Sequence, residues 1–351
     1  MSNSYDFLVF IGRFQPFHRG HLAVIQEGLR HTQQMIILCG SAHQPRTTRN
    51  PWSVEERMEM IRANFTDNEN QRIHIAPLMD IVYNDEAWVQ NVQMTVNGIV
   101  AAHFGVVHKS PKIGLIGHSK DQSSYYLKLF PQWASESVKN YEGISATPIR
   151  ERILSTSSID QFLQHDSMAD LLSPKTAEKL ESICVGDEFL QLQEEHAFIG
   201  QYQKSWENSP YPPTFVTVDG VVIQSGHVLM VERKARPGKG LLALPGGFVD
   251  QNETLENACL RELREETRLK VPTPVLKGSI RAHRVFDNPH RSARGRTITH
   301  AFYFELAPNQ QLPKVKGGDD AKHAVWVPLS QLDPRRIYED HYFIIKAITG
   351  L

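Results

Sequence analysis

The chain has 351 residues, 40% of them hydrophobic and 22% charged, with a formal net charge of −1. That composition is ordinary for a soluble protein and the length predicts two domains, while near-neutrality excludes any general electrostatic case for a nucleic-acid or membrane partner. Cys39, Cys184 and Cys259 fit neither a disulfide framework nor a metal spacing; with no basic leader and no bilayer-length apolar run, a reduced, cytoplasmic protein is expected.

Short apolar runs alternate with helical ones through the first half. "YDFLVFIG" (5–12) reads as a strand and "GHLAVIQEGLRH" (20–31) as a helix. "QMIILCGS" (34–41), "RIHIAPL" (72–78) and "KIGLIGH" (112–118) are strands, separated by the helical "SVEERMEMIRANF" (53–65) and "AWVQNVQMTVNGIV" (87–100). Continuous apolar strands between amphipathic helices predict an α/β doubly wound parallel sheet, a Rossmann-like fold, over 1–186. A polar, helix-prone stretch ending in "SPYPPT" (209–214) reads as a helical, Pro-rich linker over 187–212. Beyond it, "TFVTVDGVVIQSGHVLMVERK" (214–234) reads as strands joined by a turn at Ser225–Gly226. The helix "TLENACLRELREET" (254–267) and the strands "RTITHAFYFEL" (296–306) and "HAVWVPL" (323–329) follow, so 213–351 is expected to be a mixed α+β domain.

The first strand feeds its helix through "GRFQPFHRGH" (12–21). A strand–turn–helix join puts unpaired N–H groups and the positive dipole end at the sheet's carboxyl edge, a ready anion site. His18 and His21, three apart at the helix start, share a face and can address one phosphate, and Arg13 adds a cation. A lone histidine here would more often be a half-buried cap; two, with Arg13 and flanking glycines, argue for phosphate.

This segment resembles the HxGH motif of the nucleotidylyltransferase superfamily, and its flanks resemble the nicotinamide-mononucleotide (NMN) adenylyltransferases of the archaeal type. "RNPWSVEER" (49–57), "DIVYNDEAWV" (80–89) and "ISATPIR" (144–150) resemble three further blocks of that family, in order. The resemblance implies attack of the mononucleotide phosphate on the α-phosphorus of ATP, with pyrophosphate leaving and the protein positioning and neutralising. It implies that His18 and His21 donate to the triphosphate and that Arg13, Arg49 and Arg150 hold phosphate oxygens. Ser145 and Thr147 would lie beneath the phosphates, although "SATPIR" also reads as a plain cap with Pro148 near N1. Trp88 would stack on the nicotinamide ring, with Asp80 and Asn84 on its carboxamide. Gly12, Phe14 and Gln15 count among the substrate-binding residues, and Gly117, Lys120 and Asp121 would approach the adenine nucleotide.

In "GGFVDQNETLENACLRELREETRL" (246–269) the spacing carries the argument. At about 100° per residue, Glu262, Glu265 and Glu266 fall within an arc of roughly 100° on one helix face. Three like charges there repel, and a hard divalent cation would offset the repulsion and bridge a diphosphate. A solvated acidic face is the blander reading, but it does not require the Gly247–Glu253–Arg261–Glu262 order upstream. The stretch is similar to the Nudix box, G-x5-E-x7-R-E-U-x-E-E-x-G-U, with Arg268 where the family's last glycine stands, which puts the turn's geometry in question. The resemblance implies Glu262, Glu265 and Glu266 as metal ligands and an orienting role for Arg261. It leaves the general base open among Asp319, Asp320, Glu339, Asp340 and His341. The basic block "RVFDNPHRSARGRTITHAFYF" (284–304) carries Arg284, Arg291, Arg294 and Arg296 beside Phe286, which suits phosphates and a stacked base.

Taken together, the resemblance implies an NMN adenylyltransferase fused to a Nudix ADP-ribose pyrophosphatase. Mg²⁺ or Mn²⁺ would serve both sites, and ATP, NMN and ADP-ribose would be the partners, with homo-oligomerisation left open. The rival is a nucleotidylyltransferase for another phosphorylated acceptor carrying a Nudix module that senses ADP-ribose without cutting it.

Overall fold

The structure, a computed structural model, describes residues 4–104, 110–117, 129–138, 143–318 and 321–351. The chain divides into two compact units, 1–193 and 194–351. The division falls inside one helix, α8 below, which ends at Lys204, before the Pro-rich end of the expected linker.

In the first unit β1 (Tyr5–Gly12) leads to α1 (Arg19–His31), β2 (Thr32–Cys39), α2 (Val54–Arg62), α3 (Asp67–Asn70), β3 (Ile73–Pro77), α4 (Asp85–Phe104) and β4 (Ile113–Gly117). A short strand β5 (Ala134–Ser137), polar and absent from the sequence reading, precedes α5 (Ala146–Ser155), α6 (Ile159–His165), α7 (Pro174–Ile183) and α8 (Gly186–Lys204). All strand pairs are parallel, in the order β3-β2-β1-β4-β5. Leu8, Phe10, Met35 and Ile37 enter one apolar cluster, and Phe7, Val9, Ile36 and Leu38 the other. That two-residue alternation, with both sets buried, is why these strands read as unbroken apolar runs. Strand order reverses between β1 and β4, and their carboxyl ends, at Gly12 and Gly117, flank the crevice where open α/β sheets bind ligands.

The second unit is built on β6 (Phe215–Gln224), β7 (His227–Arg233), β8 (Leu242–Ala243), β9 (Gly246–Phe248), α9 (Leu255–Thr267), α10 (Thr273–Gly278), β10 (Ile280–Phe286), β11 (Thr297–Glu305), β12 (Ala321–Pro328) and α11 (His341–Thr349). The main path is β10-β11-β6-β7-β12; β11 and β6 run parallel, the other pairs antiparallel. Ser225 (φ 46°) and Gly226 (φ 74°) make the two-residue hairpin turn, both left-handed. Cys259, Leu260 and Leu263 of α9 share an apolar cluster with Val218, Val222, Phe302 and Phe304, while Glu262 and Glu266 of the same helix lie against β9 at Gly247 and Gly246. All three cysteines are buried free thiols, and among the described residues no helix is long and apolar enough to cross a membrane.

Candidate active sites

In the first unit His18 is the N-cap of α1. Its Nδ1 accepts from Gly20 N (3.1 Å) and His21 N (3.4 Å), while His21 Nδ1 accepts from His18 N (3.4 Å). The two rings stack with centroids 3.7 Å apart. This is a capping box made of histidines, and with Nδ1 accepting, each neutral ring carries its proton on Nε2. The pair therefore presents N–H donors at a helix N-terminus, a chemistry suited to an oxyanion.

Three guanidiniums of the same unit, Arg13, Arg49 and Arg150, act on one another electrostatically. Burial lowers the pKa of Arg13 against the pull of Asp80. Arg49 falls to about 10 through partial desolvation and then the nearby Arg13, and Arg150 falls to about 10 through burial, Arg13 and Arg49. The three remain charged near neutrality but raise one another's cost, so an anion among them relieves the strain. Arg150 is oriented by its bonds to Gln15 O (2.9 Å), Thr48 O (3.1 Å) and Thr147 Oγ1 (3.3 Å). Arg13 Nη1 is buried with no hydrogen-bond partner.

Other expected residues serve the frame. Phe14 is 1% exposed in a left-handed conformation (φ 55°), its ring under Gly12 and edge-on to His21. Gln15, also 1% exposed, donates to Trp52 O (2.8 Å) and accepts from Trp52 N (3.1 Å). Both are packed into the frame of the β1–α1 turn. Asp80 accepts from Ser41 N (3.1 Å), Ser41 Oγ (2.6 Å) and Gln44 (3.3 Å), which holds the loop after β2. Asn84 accepts from Ala87 N (2.9 Å) at the start of α4. Trp88 is half-buried against Phe130, ring centroids 6.0 Å apart. Ser145 is the N-cap of α5 without a side-chain cap bond, and Pro148 is the third helical residue. Gly117 closes β4, whereas Lys120 and Asp121 lie outside the described residues.

The role of Arg57 went unassigned although "RNPWSVEER" contains it. Buried to 1% exposure, it donates to Arg13 O (2.6 Å), Gly40 O (2.7 Å), Ser41 O (3.3 Å) and Ser53 O (3.1 Å). One guanidinium thus ties together the loops that end β1 and β2. Ser41 (φ 50°) and His43 (φ 57°) join Phe14 as left-handed non-glycine residues in these loops, the kind of strain that gathers at functional sites.

In the second unit the organising cation is Arg261. It grips Glu253 through Nε (3.1 Å) and Nη2 (2.6 Å), and donates from Nη1 to Glu262 (2.8 Å) and Glu265 (3.0 Å) and from Nη2 to Phe248 O (3.1 Å). A Cβ on Gly247 would stand 2.5 Å from Glu262 Oε1, so glycine is what lets that carboxylate lie against β9. Glu266 accepts from Gly246 N (3.0 Å), and burial pushes its pKa up to about 8, with Glu262 adding to the rise. Burial also raises Glu262. Glu262 and Glu266 are hard oxygen donors, the type a divalent cation prefers. Among the described residues no three His, Cys, Asp or Glu side chains are grouped so as to hold a metal ion, Arg261 drawing Glu262 and Glu265 to itself. Arg268 ends α9 at φ 49°: the turn keeps its left-handed geometry without glycine.

The basic block needs correction. Its first part is strand β10, and Phe286 is 1% exposed, so no base can stack on it. Arg291 is buried in a two-pronged pair with Asp340 (3.0 and 3.1 Å) near Asp219 (3.8 Å). Arg284 bonds Ala347 O (3.1 Å) and Arg296 bonds Asp287 O. Arg294 differs, for its Nε is buried without a partner. Among the general-base candidates, Asp340 is committed to Arg291. His341 accepts from Leu244 N (2.9 Å) and burial drives its pKa down to about 3, so it is a structural acceptor. Glu339, left-handed at φ 45°, accepts from Ala293 N (3.2 Å), and burial raises its pKa. Asp319 and Asp320 lie outside the described residues.

The cytidylyltransferase-like family matches residues 9–152 and the NUDIX domain matches residues 213–348. A nicotinamide/nicotinic acid mononucleotide adenylyltransferase of Acinetobacter baylyi is 50% identical over 150 residues, 42% of this chain and 74% of that protein. A solved bifunctional NMN adenylyltransferase/ADP ribose pyrophosphatase from Francisella tularensis is 35% identical over 98% of each chain, TM-score 0.86. A second Francisella tularensis structure, complexed with AMP and Mn ion, is 34% identical over 98% of each chain, again with TM-score 0.86. Matched along nearly its whole length, the chain belongs to the family of bifunctional NMN adenylyltransferases/ADP-ribose pyrophosphatases.

Proposed function

We propose that the first unit joins NMN to the adenylyl group of ATP, releasing pyrophosphate and forming NAD, and that the second cleaves ADP-ribose to AMP and ribose 5-phosphate. The observation that carries the first reading is the mutual coupling of Arg13, Arg49 and Arg150, with Arg13 Nη1 buried and unbonded, in the unit whose first helix starts on the stacked His18–His21 pair. Such a site is costly until a polyphosphate fills it. A phosphate oxygen of NMN attacks the α-phosphorus, the bond to the β-phosphate oxygen breaks, and pyrophosphate carries away the electrons. His18 and His21 donate to charge building on the transferring group, and the arginines hold the remaining oxygens. Ser145 and Thr147 at the start of α5, Gly117, and Lys120 and Asp121 complete our assignment for ATP; Trp88, Asn84 and Asp80 frame the nicotinamide side.

In the second unit Glu262, Glu265 and Glu266 are our ligands for Mg²⁺ or Mn²⁺, and we assign a divalent ion to the triphosphate of the first site as well. A bound ion supplies charge neutralisation and an acidified water. Arg261 spaces the carboxylates, and Glu339 is the candidate proton acceptor. Buried free thiols fit a cytoplasmic enzyme. The test is a product assay of the whole chain with Mg²⁺, given ATP plus NMN or its deamido form, and separately ADP-ribose. NAD and AMP are expected; absence of either product removes the corresponding half of the reading, and binding of ADP-ribose without cleavage would favour a sensor.

A further inference from the structure

Phe286 is buried, whereas Phe248 leaves part of its surface open. The residue is 39% exposed, an unusual state for phenylalanine, on β9 directly after Gly247, where an added Cβ would meet the Glu262 carboxylate. Its carbonyl accepts from Arg261, so its backbone is tied to the carboxylate cluster. The ring meets Phe215 edge-on (5.7 Å, 69°), and Phe215 is backed by Trp206 (5.0 Å) and Tyr202 (6.3 Å). The Arg294 guanidinium lies 5.1 Å from the Phe248 ring centre.

The segment carrying Arg294 is held at several points. Asp340 grips Arg291, Glu339 accepts from Ala293 N, Gln203 donates to Ala293 O (3.1 Å), and Gly295 lies close enough to Phe215 that a Cβ would sit 3.2 Å from the ring. Even so, Arg294 Nε is left buried and unbonded. The Arg294 charge already faces Glu339 and Asp219, but a segment fixed this firmly, with one guanidinium nitrogen unbonded beside a partly exposed phenylalanine, is arranged for a flat group attached to an anion. We propose that Phe248 is the stacking platform for the purine base of the diphosphate substrate, with Arg294 as its cationic flank. The inference rests on reading the second unit as an ADP-ribose pyrophosphatase. The alternative is that Phe248 merely caps the apolar run from Tyr202 to Phe215.

The test uses full-length Phe248→Leu, which keeps apolar bulk, and Phe248→Tyr, which keeps the ring. KM for ADP-ribose and the inhibition constants of AMP and ribose 5-phosphate are measured for each. Stacking predicts that Phe248→Leu raises KM and the AMP constant about tenfold, leaves the ribose 5-phosphate constant where it was, and is rescued by tyrosine. Equal shifts for the two inhibitors, no shift in either, or failure of tyrosine to rescue would overturn it. If the wild-type chain does not cleave ADP-ribose, that reading fails separately, and calorimetry of AMP on wild type and Phe248→Leu still decides the platform: weaker AMP binding in the leucine variant supports it, equal binding sinks it.

Discussion

Arg13 and Arg294 make the same physical statement in two units: each folds a guanidinium nitrogen out of water with nothing to bond. Leaving such a donor unsatisfied costs on the order of 1–3 kcal/mol, so each residue is held against stability. Arg13→Met is therefore expected to lower kcat/KM for dinucleotide synthesis by on the order of 100-fold while raising the urea midpoint of unfolding. A fall in both would make Arg13 structural. Glu266 gives the pH counterpart. Folding raises its pKa from 4.5 to about 8, so between those values the folded chain keeps a proton that the unfolded chain has lost. The stabilising difference is complete below pH 4.5 and disappears as pH rises through about 8. Without divalent cation, the second unit's denaturation midpoint should fall over that window, and Glu266→Gln should flatten the fall.

At the scale of one element, α9 shows how glycine positions serve chemistry as well as turns. The nearest atoms a methyl group on Gly247 would meet are those of the Glu262 carboxylate, the end of a side chain rather than backbone, so Gly247→Ala should keep the fold and displace the carboxylate. Circular dichroism is expected to be unchanged while ADP-ribose cleavage falls on the order of 100-fold. Arg268 holds a left-handed turn that tolerates side chains poorly, worst of all β-branched ones. Arg268→Gly should stay within about 1 kcal/mol of wild type in chemical denaturation and Arg268→Val should cost about 2 kcal/mol. The helix and its acidic face were legible in the sequence because 3.6-residue periodicity is local, as was the strand–turn–helix join at His18. Pairings across long stretches of chain were not: Arg291 with Asp340, Asp219 beside both, and Arg57 across two loops leave no local spacing to read. The alternating strand β10 was missed because its arginines face outward on an edge, and its last residue, Phe286, was mistaken for an open ring.

For the whole molecule, each compact unit carries its own hydrophobic cluster and its own polyphosphate chemistry. The unit boundary argues that residues 194–212 serve the second unit: Glu195 accepts from Gly238 N (2.9 Å), and Tyr202 and Trp206 back Phe215. A fragment of 194–351 should therefore unfold at a higher temperature than one of 213–351, and a tie would count against that assignment. The most direct test of the central claim is a pair of full-length double variants assayed for both products. His18→Ala/His21→Ala is predicted to lose NAD formation and keep AMP release from ADP-ribose, and Glu265→Gln/Glu266→Gln to do the reverse. Undiminished NAD formation by the histidine variant, or full-rate ADP-ribose cleavage by the glutamate variant, would contradict the account.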